Sequence, residues 1–301
     1  MAFTDNSATY SGDFAKTFYS KAILGANTIK NIDVIAGLKS SPYNLPRIDL
    51  TNLLQPASCT WSDQGTITLA TRTISTCDVK VNYTFCTKDF ESNYLSAQLR
   101  PGANNNEIPA TFKDYVLARM SDYIASQVEN VIWNGDTAGS PADVCDGYLK
   151  AWTADANVID VTGTTLSASN IIVEMLKLYN AIPFTIRHGG KVKLWLSNAA
   201  QSFYLQAVAN VATGSGAYYL GTDNANKFLG LDIIVGPRIP TNQMAAFEGD
   251  NIVFATDLES DMQDIRVIDM APLGGGPNMK FEAGFKMGTS YRIGEEIVWY
   301  H

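Results

Sequence analysis

The sequence predicts an α+β protein: an N-terminal arm, a projecting β-hairpin, one long helix, a mixed body and a long one-sided strand near the C-terminus. Three observations carry this. Residues 109–133 place apolar side chains at helical spacing over about 25 positions. Residues 79–85 and 279–287 alternate apolar and polar side chains with period two. No regular β-α-β repeat runs through the chain, so a parallel doubly wound sheet is not expected.

Residues 1–38 are small and polar, with Tyr10, Phe14, Phe18, Tyr19, Ile23, Leu24 and Ile29 as scattered apolar anchors. Phe14, Phe18 and Ala22 fit one short helix face, and the rest reads as an extended arm that lies on something else. Residues 44–88 are rich in strand signals. Thr66-Ile67-Thr68-Leu69 alternates, Val79 to Phe85 alternates without error, and Trp61-Ser62-Asp63-Gln64-Gly65 reads as a turn. Much of 56–78 is Thr and Ser, so the hairpin has little core of its own and is expected to project onto a neighbour.

The long helix is expected from Pro109 to Trp133, with Phe112, Tyr115, Val116, Met120, Tyr123, Ile124, Val128, Val131 and Ile132 on one face. Thr111 and Asp114 resemble a capping box, and Asn134-Gly135-Asp136 ends the helix. Two further helices are expected over 168–182, stopped by Pro183, and over 198–211, with Ser197 as N-cap. Strands are expected at 191–196, 231–235, 252–255 and 265–268, and Gly214–Asn226 reads as an exposed loop. Met279, Phe281, Ala283, Phe285 and Met287 alternate with polar or small residues. After a turn at 292–296, Ile297–Tyr300 is the last strand.

Composition narrows the function. Of 301 residues, 46% are hydrophobic and 17% charged, which fits a folded chain. The 14 Tyr, 13 Phe and 5 Trp suit a surface largely covered by other chains. The net charge, 22 − 30 = −8, argues against a nucleic-acid reader but does not exclude a container for nucleic acid, whose wall should hold it loosely. The start, Met1-Ala2-Phe3-Thr4-Asp5-Asn6, lacks the features of a secretory signal, and no apolar run is long enough to span a membrane.

Chemistry has little to stand on. The only histidines are His188, in a turn, and His301 at the terminus. No nucleophile elbow, zinc-protease or phosphate-loop motif is present. Gly274-Gly275-Gly276-Pro277 precedes a strand and reads as a joint. Asp257, Glu259, Asp261 and Asp264 lack the glycine and distal glutamate of a calcium loop and read as a solvated acidic turn. Glu295 and Glu296 are adjacent, and paired acids for glycoside chemistry would need to converge; a charged turn near a subunit contact is the simpler reading. Asn82-Tyr83-Thr84 is treated as a chance glycosylation sequon. Cys59, Cys77, Cys86 and Cys145 form no metal-binding spacing; they are expected as reduced, mostly buried thiols, with a Cys77–Cys86 bridge as the lesser option. No catalytic, cofactor or metal residue is assigned.

In this order the elements resemble the major capsid proteins of tailed bacteriophages, with the Hong Kong 97-like coat fold. Residues 1–38 resemble the N-terminal arm, and 39–88, with Leu45-Pro46 and the Thr-rich hairpin, the extended loop. Residues 89–136, with Ile108-Pro109 through Trp133-Asn134-Gly135-Asp136, resemble the peripheral domain and its spine helix. Residues 137–270 resemble the axial domain, with 214–226 near the capsomer axis. Residues 271–301, with Gly284-Phe285-Lys286 and Arg292-Ile293-Gly294, resemble the peripheral-domain long strand and the C-terminal strand. The resemblance implies hexamers and pentamers closing into an icosahedral head around double-stranded DNA in the virion, assembled in the bacterial host's cytoplasm. It also implies a portal protein, a scaffolding protein and decoration proteins as partners. The chain begins almost at the arm, so a separate scaffold is expected. No lysine lies between Ser58 and Val79, which speaks against cross-linking at the hairpin tip. Phe14 and Phe18 on the arm, Trp61 and Arg72 on the hairpin, and Tyr218 and Tyr219 on the axial loop are the expected inter-subunit contacts. Two alternatives stand beside this reading: an encapsulin-type nanocompartment shell, and a soluble enzyme or phage tail or adhesion protein.

Overall fold

The structure, a computed structural model, describes residues 7–10, 26–38, 42–57, 59, 65–86, 110–139, 143–210, 226–257, 265–270, 276 and 278–301. Five strands come first: β1 (Ser7–Tyr10), β2 (Asp33–Ile35), β3 (Tyr43–Thr51), β4 (Thr66–Ile74) and β5 (Cys77–Cys86). The middle holds α1 (Ala110–Asn134), α2 (Tyr148–Ala154), β6 (Ile159–Val161), α3 (Ile171–Ala181), α4 (Phe184–Arg187), β7 (Val192–Leu196) and α5 (Asn198–Ala209). Then come β8 (Lys227–Phe228), β9 (Leu231–Val235), β10 (Met244–Glu248), β11 (Ile252–Thr256), β12 (Ile265–Asp269), β13 (Asn278–Tyr291) and β14 (Val298–Tyr300).

The expected spine helix is present as α1, 25 residues and about 37 Å long. It begins at Ala110, so Thr111 lies inside it and is not its cap. Its C-terminal stop is the predicted glycine. Gly135 N–H donates to the Val131 carbonyl at 3.0 Å, and a Cβ at Gly135 would meet the Cys145 carbonyl oxygen at 2.2 Å. Ser197 caps α5 as expected, its hydroxyl accepting from Ala200 N–H at 3.1 Å.

β13 organises the first sheet. It has 14 residues, and Met279, Phe281, Ala283, Phe285 and Met287 are buried, as the alternation predicts. One edge of β13 pairs with β5 from Asn278↔Cys86 to Met287↔Cys77. The other edge carries two strands end to end: β12 against Met279–Glu282 and β11 against Met287–Tyr291. β1 extends the sheet beyond β12, and β2 runs parallel to β11. In the gap between β12 and β11, Asp257 Oδ1 accepts the Lys286 N–H at 2.9 Å. Asp257 is therefore a buried strand cap, and not part of a solvated acidic turn as the sequence reading had it.

The second sheet has the order β6-β14-β10-β7-β9-β8. Both of its faces are covered. Trp195, Ala245, Phe247 and Trp299 face a core shared with α1, α2 and the first sheet. Leu194, Leu196, Met244, Ala246, Val298 and Tyr300 face α3 and α5. Double burial explains why β10 reads Met-Ala-Ala-Phe with no polar alternation. The pairings also redraw the expected segments. β11 and β12, placed with the axial region from sequence, belong to the sheet of the long strand. β5, placed with the hairpin, pairs with β13. The terminal strand β14, grouped with β13 in one segment from sequence, instead joins the second sheet.

Four of the five tryptophans meet where α1 ends. Trp133 packs edge-on to Tyr148 and Trp152 and tilted against Trp195, with ring centroids 5.8–5.9 Å apart. Trp152 also lies 6.5 Å from Trp299. Trp133 Nε1 donates to Thr28 Oγ1 at 2.7 Å, and Thr28 in turn donates its hydroxyl and its N–H to the buried Glu129 carboxylate. This network satisfies polar groups that would otherwise be costly in the core, and it fixes residue 28 of the arm against α1.

The cysteine expectation is corrected. Cys77 and Cys145 form a disulfide between residues 68 apart in sequence, while Cys59 and Cys86 are free thiols, Cys59 exposed and Cys86 half-buried. Cys86 faces Asn278 across the β5–β13 ladder and is far along the strand from Cys77, so the hairpin bridge between those two does not form.

Candidate functional site

The two-stranded hairpin β3–β4 stands apart from both sheets. Its register runs from Tyr43↔Ile74 to Thr51↔Thr66. The partner of β4 is β3, the strand before the expected turn at 61–65, and β5 is taken by β13. Directly paired residues and their i+2 neighbours share a face. One face therefore carries Ile48, Leu50, Ile67 and Leu69, which are 60%, 55%, 64% and 74% exposed. These four aliphatic side chains adjoin one another, and Leu53 and Leu54 beyond them are also exposed.

The opposite face holds the hairpin to the body. At its base Leu45 and Ile74 are buried with Leu38, Val253 and Ala255. Arg47 lies 3.6 Å from Glu295. Glu295 and Glu296 sit in a short 3-10 turn, and burial together with Glu248 pushes the Glu296 carboxyl up. At the outer end of the ladder Asn52 and Gly65 both have positive φ, 51° and 89°. A Cβ on Gly65 would meet the Thr51 carbonyl oxygen at 2.3 Å, so only glycine closes the ladder there. Of the expected turn 61–65, only Gly65 is among the described residues.

Arg72 is the firmest tether. Its guanidinium bonds the Asp155 carboxylate and lies 3.9 Å from the Tyr291 ring centroid, and Tyr291 Oη donates to Asp155 at 2.7 Å. Burial alone would raise the Asp155 pKa. Hydrogen bonds from Asn157 N–H, Arg72 and Tyr291 outweigh it and hold the carboxyl at about 2. Tyr291 is pushed up to about 12, first by burial and then by its bond to Asp155. Because the Asp155 pKa is depressed on folding, its contribution is complete above about pH 4 and disappears as pH falls toward 2. The difference corresponds to on the order of 2 kcal/mol. Urea denaturation from pH 6 to 2 is expected to show this loss in the native chain. Asp155→Asn should lack it and be less stable at pH 6; parallel pH profiles for the two proteins would contradict the tether.

Arg72, expected from sequence as an inter-subunit contact, is thus engaged within its own chain. Phe14, Phe18, Trp61, Tyr218 and Tyr219 lie outside the described residues, as do most of 214–226 and 274–277. The apolar hairpin face was not singled out from sequence, although Thr66–Leu69 alternation was its visible half. His188 is exposed at the end of α4, 5.2 Å from the Phe184 ring centroid. Among the described residues, no group of three or more His, Cys, Asp or Glu side chains is arranged to hold a metal ion. Among them, too, no helix is long and apolar enough to cross a membrane.

No family model matches the sequence, and no curated protein matches it. Solved structures do match over nearly the whole chain. The capsid of an empty GTA particle is similar with TM-score 0.60 at 15% identity, covering 91% of this chain and 89% of that one. The satellite phage P4 procapsid that includes the size determination protein is similar with TM-score 0.57 at 12% identity, covering 95% and 98%. A virus-like particle from Pyrococcus furiosus is similar with TM-score 0.50 at 11% identity, covering 94% and 96%. The chain has the phage major capsid protein fold, the Hong Kong 97-like coat fold, with its mixed sheets and few helices.

Proposed function

We propose that this chain is the major capsid protein of a tailed phage, assembling as hexamers and pentamers into an icosahedral head around double-stranded DNA. The observation that carries this is the hairpin β3–β4 on a body of the phage capsid fold: its base is bonded down, and its outer face offers four exposed aliphatic side chains. Such a face is unfavourable in water and is stabilised by burial on another copy. Contacts between unlike patches of identical subunits close into shells when the rotation closes. The net charge of −8 suits a wall that does not grip its DNA. On this reading the chain is structural and not an enzyme, resides in the virion after assembly in the host cytoplasm, and works with portal, scaffolding and decoration proteins. The arm, extended loop, peripheral and axial divisions of such a coat protein map to this chain with the strand exchanges described above.

Electron microscopy of the purified chain under assembly conditions is expected to show uniform closed shells. A chain that remains monomeric under all of them would overturn the proposal. A second reading, an encapsulin-type nanocompartment shell, draws on the likeness to the Pyrococcus particle. Particle contents separate the two: DNA with a portal supports the phage head, and an enclosed protein cargo without either supports the nanocompartment.

A further inference from the structure

The second sheet carries an exposed apolar feature at each of its two ends. At one end β8 and β9 meet in a two-residue turn, Leu229-Gly230, closed by the Phe228↔Leu231 pair. Both turn residues have positive φ, 48° and 87°. Such a turn favours Asn-Gly, and a bulky residue at its first position is an outlier. Leu229 nevertheless occupies it and is 56% exposed. The turn is held firmly. Tyr204 Oη donates to the Lys227 carbonyl at 2.9 Å, and its ring stands edge-on to Phe228 with centroids 6.1 Å apart. A strained, exposed leucine on a fixed turn points to a contact outside its own fold.

At the other end α3 lies over β6, β14 and β10. Its inner face, Ile171, Met175 and Leu178, is buried with the sheet. An ordinary surface helix is polar on its outer face. This one carries Ile172, Val173 and Leu176 there, 42%, 56% and 42% exposed and adjoining within one helical turn. A helix that is apolar all round is normally covered all round. Among the described residues outside the hairpin, no other three exposed aliphatic side chains adjoin in this way. Five strand spacings separate β6 from β8, roughly 24 Å. Leu229 and the α3 stripe therefore do not meet within one chain.

We propose that Leu229 of one copy packs on the Ile172–Val173–Leu176 stripe of the next, head to tail, around the ring of a capsomer. This contact presupposes the shell reading above and is separate from the hairpin. Its occupant is a second copy because knob and stripe are alike in chemistry, unlike in shape, and set at opposite ends of one sheet. Such unlike patches repeat from copy to copy and form a ring when the rotation closes. The area they bury is well under the ~1,000 Å² that a lasting pair needs. A single contact is therefore weak, and it becomes effective where each copy is held on both sides.

Leu229→Asn separates this role from a structural one. Asparagine is at home at positive φ, so urea denaturation should find the isolated subunit at least as stable as the native one. Assembly should nevertheless need about tenfold more protein, from the loss of one half-exposed leucine side chain per contact. Leu176→Gln, on the other side of the contact, should raise the threshold in the same way. A destabilised Leu229→Asn subunit, or normal assembly by either variant, would overturn the proposal. Crosslinking tests the pairing directly. Cys59→Ser chains carrying Leu229→Cys are mixed with Cys59→Ser chains carrying Leu176→Cys under assembly conditions and treated with a short bis-maleimide. A joined pair with one chain of each kind is expected, and a chain carrying both substitutions should give a ladder ending at the pentamer and hexamer. Assembled particles in which positions 229 and 176 stay unjoined, or join within a single chain, would overturn the contact and leave the shell reading standing. A native chain that forms neither ring nor shell would overturn both.

Discussion

Glutamate at both positions 48 and 69 is expected to abolish particle formation while leaving the subunit folded. Ile48 and Leu69 pair across the hairpin and are 60% and 74% exposed in the isolated chain, so Ile48→Glu with Leu69→Glu changes little in its core. Exposed substitutions of this kind shift stability by about 0.5 kcal/mol or less. On the proposed reading the same two side chains are covered by another copy in the shell. Losing their burial costs roughly 1.5–3 kcal/mol each, before the penalty for desolvating two carboxylates. That is at least about a hundredfold in each contact, repeated at every subunit. Sedimentation velocity should find only small species, and circular dichroism with thermal melting should match the native subunit. Normal shells from the double variant would place the aliphatic face outside the contacts.

Trp133→Ala is expected to be the most damaging single change in the body. The indole is fully buried, touches Tyr148, Trp152 and Trp195, and donates to Thr28. Truncating it leaves a cavity between the two sheets and removes a donor from the Thr28–Glu129 network. A loss of about 3–5 kcal/mol is expected from such a large-to-small change. Chemical denaturation of the dissociated subunit measures it. Trp133→Phe, which keeps the ring but not the N–H, should lose markedly less, and equal losses would show that packing is not what Trp133 supplies.

The parts of the fold that were legible in the sequence are those with sustained periodicity. The helical stripe from Phe112 to Ile132 and the alternation from Met279 to Met287 each persist long enough to define an element; the alternation also gives its buried face, whereas on the helix Ile124, Val128 and Ile132 are buried but Tyr123, expected beside them, is 67% exposed. The poverty of core in 56–78 marked a hairpin whose outer face is uncovered, although its other face is held to the body through Leu45, Arg47, Arg72 and Ile74. Partners were another matter. Alternation in Val79–Phe85 tells which face is inward but not that the neighbour is β13, nearly two hundred residues on. Short strands such as β2 and β6, three residues each, carry no period at all. β10 is buried on both faces and so has no polar beat. The bridge between Cys77 and Cys145 depends on a contact that spacing does not encode. Arg72 was noticed for its type and its place on the hairpin, yet its role is set by Asp155 and Tyr291, which only the fold brings near.

The placement of β13 has a consequence for how the chain is made. β5, β11 and β12 all lie directly against it, and β1 and β2 join the sheet through β12 and β11. From Cys86 to Asn278 a ribosome adds 192 residues (278 − 86), which takes roughly 10–40 s at cellular elongation rates. Throughout that interval β5 has no partner and the arm strands have no sheet to join. Pairings so distant in sequence are also slow to close. The first sheet is therefore completed only once β13 has been made. Until then the exposed aliphatic ribbon and an unpaired ten-residue strand are presented to solvent together. A nascent chain of this design is a natural client for chaperones, and its yield on expression should fall steeply when translation is slowed between codons 86 and 278.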